Sequence, residues 1–263
     1  MEIINSHAHI YPEKIAEKAT KAIGDFYDIK MDKKAGTSEE LIKDGEPYGV
    51  SKYVVHSVAT TAHQVRSINE FIKREMDLHP EFIGFMTLHP NLTEDEILFE
   101  VNWAIENNFK GIKLHPDFQK FYVNDNDAQK IYKIVGDKLP ILLHMGDDRY
   151  DYSKPYKLVE MAKKFPNVKF IAAHFGGYRE WSDYTLYKGL DNVYFDTCSS
   201  LAFIDSETAK KIITELGVEK FFFATDFPMW DTKTELERFN KIPLTTEERK
   251  LILGENIKKF LNI

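Results

Sequence analysis

The chain has 263 residues, a formal charge of −7 and 43% apolar residues, which fits one large α/β domain with a sizeable core. The acidic balance excludes an extended nucleic-acid surface, and no apolar run approaches the ~18 residues of a membrane helix. The opening MEIINSHAHI has no charged segment followed by a long apolar stretch, so no secretory leader is expected. The single cysteine, Cys198, rules out an internal disulfide and suits a reducing, cytoplasmic setting, where it reads as an inert buried thiol, with a substrate contact as the alternative.

Taken in chain order, strands and helices alternate. Strand one is expected over 2–5, running into His7-Ala8-His9, and a helix over 13–23 follows. The next stretch, up to Lys52, is too long for a simple connection and is rich in Tyr, Asp, Lys and Gly. Residues 24–50 therefore read as a lid or binding insertion, or else as a solvated decoration. Strand two, 52–56, ends at His56 and leads to a helix over 65–78. Strand three, 82–88, ends at His89. Thr93 and Glu96 have capping-box spacing at the start of a helix over 93–107. Strand four, 111–115, ends at His115 and precedes a helix over 126–135. Strand five, 140–144, ends at His144 and precedes a helix over 155–165. Strand six, 168–174, ends at His174, and strand seven, 193–196, ends at Asp196. A helix over 206–216 then leads to strand eight, 221–226, which ends at Asp226. Thr245 and Glu248 form the same box before a last helix that ends near Phe260.

Short, continuous apolar runs rich in β-branched and aromatic residues, bounded by Gly and Pro, read as buried parallel strands. Eight of them alternating with helices predict a single-domain (β/α)8 TIM barrel over 1–263. An open doubly wound sheet is the alternative. The count of eight and the lack of a Gly-x-Gly-x-x-Gly loop after strand one speak against it.

The strand endings carry the chemistry. Six of the nine histidines finish an apolar run, and His7 forms a His-x-His with His9. Any one of these histidines alone reads as a satisfied core residue. Jointly they point to a metal. His7 and His9 share one face of strand one. Asp226 closes strand eight, the neighbour of strand one in a shut barrel, and His144 closes strand five. Three His and one Asp with a water left over make a catalytic metal composition, the water losing a proton near neutral pH. His174 reads as a further ligand or as the base beside that water. Lys113 and His115, on one face of strand four, are candidates to hold a substrate anion. In loop five, Arg149 could clamp a substrate carboxylate, or neutralise Asp147, Asp148 or Asp151. Tyr178, Arg179 and Trp181 after strand six, with Met229 and Trp230 after strand eight, would suit a ring-bearing substrate.

At these residues the chain resembles the amidohydrolase superfamily, in its amidohydrolase-related branch. The resemblance lies in Asn5-Ser6-His7-Ala8-His9, Gly111-Ile112-Lys113-Leu114-His115-Pro116, Ile141-Leu142-Leu143-His144-Met145-Gly146, Ala173-His174 with Gly176-Gly177, Thr225-Asp226-Phe227-Pro228 and Leu253-Gly254-Glu255-Asn256. It implies a (β/α)8 barrel with one divalent metal, commonly zinc, at His7, His9, His144 and Asp226. His174 would stand beside the metal-bound water, and Asp226 would also accept a proton. Binuclear members of the superfamily often bridge two metals from strand four. Here Lys113 lies one layer below the strand end, which favours a single metal.

The expected activity is therefore metal-dependent hydrolysis of an amide, lactone or ester carbonyl on a small, carboxylate-bearing substrate. The alternative is non-oxidative decarboxylation of a small aromatic or related carboxylic acid. A PHP-type phosphoesterase would need more carboxylates and two or three metals, and a catalytically dead metal binder would not keep ligand, base and cavity together. Zinc is the expected ion, with manganese, iron and cobalt as alternatives. The partner is a small molecule, with neither nucleic acid nor membrane; a homodimer is common for such barrels, and the oligomeric state is left open.

Overall fold

The structure is a computed structural model that describes residues 2–263. Its strands are β1 (Ile3–His9), β2 (Val50–His56), β3 (Phe82–Thr87), β4 (Gly111–Leu114), β5 (Ile141–Leu143), β6 (Phe170–Ala172), β7 (Val193–Asp196) and β8 (Phe221–Phe222). Their order in the sheet follows the chain, and parallel ladders join β1 to β2 and run from β3 through β7. The segment after β8 returns to β1: the Ser6 amide donates to Phe223 O at 2.9 Å, and Ala8 pairs in parallel with Phe227. This is the (β/α)8 barrel fold that the sequence predicts.

The helices are α1 (Glu13–Tyr27), α2 (Ser38–Gly45), α3 (Val65–Leu78), α4 (Glu94–Glu106), α5 (Pro116–Gln119), α6 (Asn126–Val135), α7 (Pro155–Lys164), α8 (Ser206–Leu216), α9 (Thr232–Asn240), α10 (Thr246–Lys250) and α11 (Asn256–Leu261). Where a cap residue is legible, the boundary follows it. Thr93 accepts from the Glu96 amide at 3.2 Å while the Glu96 side chain reaches back to the Thr93 amide, and Thr245 with Glu248 does the same. No helix among the described residues is long and apolar enough to cross a membrane.

Contacts gather the chain into two compact units. The first comprises Met1–His56, Glu75–Ile83 and Thr197–Ile263. In it β1 is buried almost throughout, and its register with β2 sets His9 beside His56. The 24–50 insertion is largely ordered: α2 forms within it, capped by Thr37. The insertion is tied to the chain after β8 by hydrogen bonds. The Asp32 amide donates to Met229 O at 3.1 Å, and Asp44 Oδ2 accepts from the amide and hydroxyl of Thr232 at 2.8 and 2.7 Å.

The second unit comprises Ser57–Arg74 and Gly84–Asp196. β4, β5 and β6 are wholly buried, as expected of parallel strands covered on both faces. In this unit Gln119 of α5 stitches strand ends together. Its carbonyl accepts from the His115 amide at 2.9 Å, and its amide donates to Ala59 O and Leu88 O at 2.8 and 2.7 Å.

Candidate metal centre

In the first unit the end of β1 and the chain after β8 bring His7, His9 and Asp226 together, all buried. Asp226 Oδ1 lies 3.3 Å from His7 Nε2 and 3.4 Å from His9 Nε2. Two donors on one tetrahedral cation at about 2.1 Å sit about 3.4 Å apart. The separations seen are those of donors sharing one small divalent ion. A ring of charged imidazoles is a poor alternative. His56 packs against both rings, its centroid 4.8 Å from that of His7 and 4.4 Å from that of His9, and three adjacent imidazolium ions would repel one another. Neutral imidazoles instead leave ring nitrogens that could turn lone pairs toward a cation shared with the carboxylate. His7, His9 and His56 each offer a ring nitrogen within 4.8 Å of the others, and His7, Cys198 and Asp226 form a second such group. The residues present fit a divalent metal.

Around this cluster the supports are specific. Ser199 Oγ donates to Asp226 Oδ2 at 2.6 Å, and Trp230 Nε1 donates to Ser199 Oγ at 3.1 Å. Cys198 Sγ lies 3.4 Å from His7 Nδ1, so the thiol is buried but not remote from the chemistry. Asp226 itself adopts φ 58° and donates its amide to His7 O at 3.0 Å. Tyr11 stacks on His9 with ring centroids 6.4 Å apart, and burial pushes its hydroxyl pKa well up, helped by the Asp226 charge.

In the second unit the ends of β4, β5 and β6 collect His115, His144 and His174. His115 stacks on His144, centroids 4.0 Å apart, and on Phe118 at 3.8 Å. His144 Nε2 lies 3.0 Å from Gly146 O, and His174 Nε2 lies 2.9 Å from His144 Nδ1. A carbonyl only accepts, so Nε2 carries the His144 proton, and one proton is shared between His144 Nδ1 and His174 Nε2. Both ring nitrogens of His144 are engaged in this arrangement, so ligation of a metal through Nδ1 would replace its contact with His174. The His174 amide is held by Asp196 Oδ1 at 2.7 Å, and Trp181 Nε1 donates to His174 O at 3.1 Å.

Asp117 completes this cluster. Its Oδ2 accepts from Ser153 Oγ at 2.6 Å and lies 3.7 Å from His144 Nε2. Burial pushes its pKa up to about 6, against the Ser153 bond, with the Asp147 charge adding to the rise. Asp147 is fully enclosed and takes both arms of Arg149, Nε at 2.9 Å and NH2 at 2.7 Å. Lys113 is wholly buried in β4.

The residues singled out in the sequence thus fall into two sets. His7, His9, Asp226 and Trp230 meet in the first unit, and His115, His144, His174 and Trp181 in the second, where Arg149 is engaged by Asp147. Sequence reasoning missed His56, Asp117, Ser199 and the support that Cys198 gives His7, whereas the pairing of Arg149 with Asp147 is one of its two readings of that arginine. His56 carried a signal, since it ends an apolar run. Asp117, two residues after His115, is a weaker one, and Ser199 carries none, because its role depends on a backbone turn.

The amidohydrolase family model matches residues 4–263, so the chain belongs to that family. No curated protein matches the chain. Among solved structures it is similar to a 5-carboxyvanillate decarboxylase from Novosphingobium aromaticivorans with manganese and 4-hydroxy-3-methoxy-5-nitrobenzoic acid. The identity is 14% and the TM-score 0.78, over 99% of this chain and 96% of that one. It is similar to a dihydroxybenzoic acid decarboxylase from a Polaromonas species with bound manganese and 2-nitroresorcinol, at 15% identity and TM-score 0.76 over 99% and 97%. A TIM-barrel protein of uncharacterised function from Bordetella bronchiseptica superposes with TM-score 0.82 at 14% identity, over 100% and 99%.

Proposed function

We propose that this chain is a metal-dependent, non-oxidative decarboxylase of a small aromatic carboxylic acid, with one divalent cation held by His7, His9, His144 and Asp226. The observation that carries the reading is the convergence of His7 Nε2 and His9 Nε2 on Asp226 Oδ1. The likeness to barrels that decarboxylate hydroxylated benzoates supports the choice of reaction. The manganese in two of those structures stands beside zinc as a candidate ion.

When bound, the cation supplies Lewis-acid charge that draws in an anionic substrate and stabilises negative charge developing on it. In the reaction the bond between ring carbon and carboxyl carbon breaks, carbon dioxide leaves, and the electron pair stays on the ring. A proton must then reach that carbon. His174, whose Nε2 faces His144 Nδ1 at 2.9 Å, is assigned its delivery. Asp226, its Oδ2 occupied by Ser199, keeps Oδ1 for ligation. His115 and Lys113 are assigned to the substrate anion, and Trp181 and Trp230 to the walls around its ring.

Hydrolysis of an amide, lactone or ester is the second reading, favoured by the family's own description. In it Asp226 or His174 takes a proton from the attacking water. The test loads purified protein with Mn2+ or Zn2+ and supplies hydroxylated benzoates and lactones in parallel. Carbon dioxide release with formation of the phenol is expected, and a chelator should abolish it. Ring opening without carbon dioxide would establish the hydrolase. Metal-loaded protein active on neither set overturns the proposed reaction.

A further inference from the structure

The chain after β7 turns through Thr197, Cys198, Ser199 and Ser200, all buried. Two consecutive side chains of this turn each touch one residue of the β1–Asp226 cluster: Cys198 at His7 Nδ1 and Ser199 at Asp226 Oδ2. The Ser199 contact has a direction. Trp230 Nε1 can only donate, so Ser199 Oγ is the acceptor of that 3.1 Å bond. The Ser199 proton is left for Asp226 Oδ2 at 2.6 Å, with Met229 Sδ at 3.4 Å alongside. A carboxylate held in this way at Oδ2 can turn only Oδ1 toward His7 and His9, as seen at 3.3 and 3.4 Å. Ser199 and Asp226 both occupy the left-handed region, at φ 52° and 58°, a conformation that non-glycine residues keep only where their surroundings enforce it.

We infer that Ser199, oriented by Trp230, is a positioning residue that fixes Asp226 as a one-oxygen metal ligand. The inference rests on the cation site proposed above and adds the residue that sets how its carboxylate binds. Outer hydrogen bonds of this kind hold ligands in place, and their loss typically weakens metal binding by 10–100-fold. Without the hydroxyl, both Asp226 oxygens are free to approach the ion, and the coordination number rises.

The experiment compares the wild type with Ser199→Gly, Ser199→Ala and Trp230→Phe. Glycine adopts the left-handed turn without strain, so it removes the hydroxyl and leaves the backbone in place. Zn2+ affinity is measured by competition with a chromogenic chelator, and the visible spectrum of the Co2+-loaded protein reports coordination. Both Ser199 variants are expected to bind about 10–100-fold more weakly, with a weaker Co2+ absorption band. Trp230→Phe, which keeps the hydroxyl but not its orienting donor, should shift both readouts in the same direction by less. Wild-type affinity and spectrum in Ser199→Gly would overturn the inference. If neither Ser199 variant folds, unchanged readouts in Trp230→Phe would overturn it. A wild type that binds neither ion overturns the cation site first, and the inference falls with it.

Discussion

Gly146 offers a quantitative test of how the loop after β5 is held. It follows the candidate ligand His144 by two residues, and its carbonyl faces His144 Nε2 at 3.0 Å. Its φ is +79°, and a Cβ built there would lie 2.5 Å from the Tyr178 amide nitrogen and 2.6 Å from Gly177 C and Tyr178 O. These are backbone atoms, fixed in turn by the Tyr178 amide bond to Met145 O at 2.7 Å. Gly146→Ala therefore carries two costs. The left-handed conformation costs an alanine about 1–2 kcal/mol, and forcing a methyl into closed backbone costs about 1–3 kcal/mol more. Gly189 separates the two terms, because its φ is +78° and nothing lies within 4 Å of a Cβ there. Gly189→Ala should lose about 1–2 kcal/mol, and Gly146→Ala about 2–5 kcal/mol, in urea unfolding followed by circular dichroism. If the Gly146→Ala loop yields instead of the fold, the Gly146 carbonyl moves off His144 and metal content falls at nearly wild-type stability. Equal stability loss in the two variants, with metal content intact in both, would refute the close approach of the two loops.

His144→Ala is expected to lower both metal content and turnover, whereas His174→Ala keeps the metal and loses turnover by about 10²–10⁴-fold. Elemental analysis beside the rate assay checks this, and equal metal loss in both variants would make His174 a ligand. Glu235, fully enclosed on α9, gives a pH test: burial pushes its pKa up to about 8, against the opposing pull of Arg238 at 2.5 Å. The folded state then holds the proton more tightly than the unfolded chain. Its contribution is complete below the ordinary 4.5 and is lost as pH rises toward about 8, by up to about 1.4 kcal/mol per pH unit. Glu235→Gln removes this dependence, so its unfolding free energy should gain on the wild type between pH 6 and 8, by about 1 kcal/mol per unit. A difference that stays flat with pH would show a carboxylate kept ionised by Arg238.

Helix positions were legible where a side chain marks the boundary. Helices expected over 65–78, 126–135 and 206–216 appear with those same limits, because Asp125 and Asp205 cap the last two and leave an unmistakable local signal. β1 and β2 extend beyond their apolar runs, while β3 to β6 and β8 are shorter than theirs. FFFATD reads as a strand to Asp226, yet β8 ends at Phe222. Beyond it side chains replace the ladder: the Ala224 amide donates to Thr197 Oγ at 3.1 Å and the Thr225 amide to Asn5 Oδ1 at 3.1 Å. Apolarity reports burial, and burial continues after the ladder has ended. α9 went unread because its residues are mostly polar and its cap, Asp231, stands inside the connection after strand eight. The histidines and Asp226 could be singled out because each closes an apolar run or, like His7, forms a His-x-His with one that does. Ser199 and Asp117 were not, because each acts through a contact that only the folded loops create.

Left-handed backbone outside helix ends is concentrated after β6, β7 and β8. Among the described residues, nine that are not glycine have positive φ. Asp28, Lys120 and Asn262 are helix C-caps and Asn108 follows the C-cap of α4, positions where the left-handed conformation is routine. His174, Phe175, Arg179, Ser199 and Asp226 have no such excuse, and all five follow β6, β7 or β8 at the strands' C-terminal ends. A phenylalanine in this region is unfavourable wherever it occurs, so the buried strands must stabilise what the loops beyond them forfeit. That division has a physical consequence. The apolar strand interiors tolerate exchange of one hydrophobic residue for another of similar volume. Asp226 beyond β8 does not, since it combines a left-handed backbone with the carboxylate that accepts from Ser199.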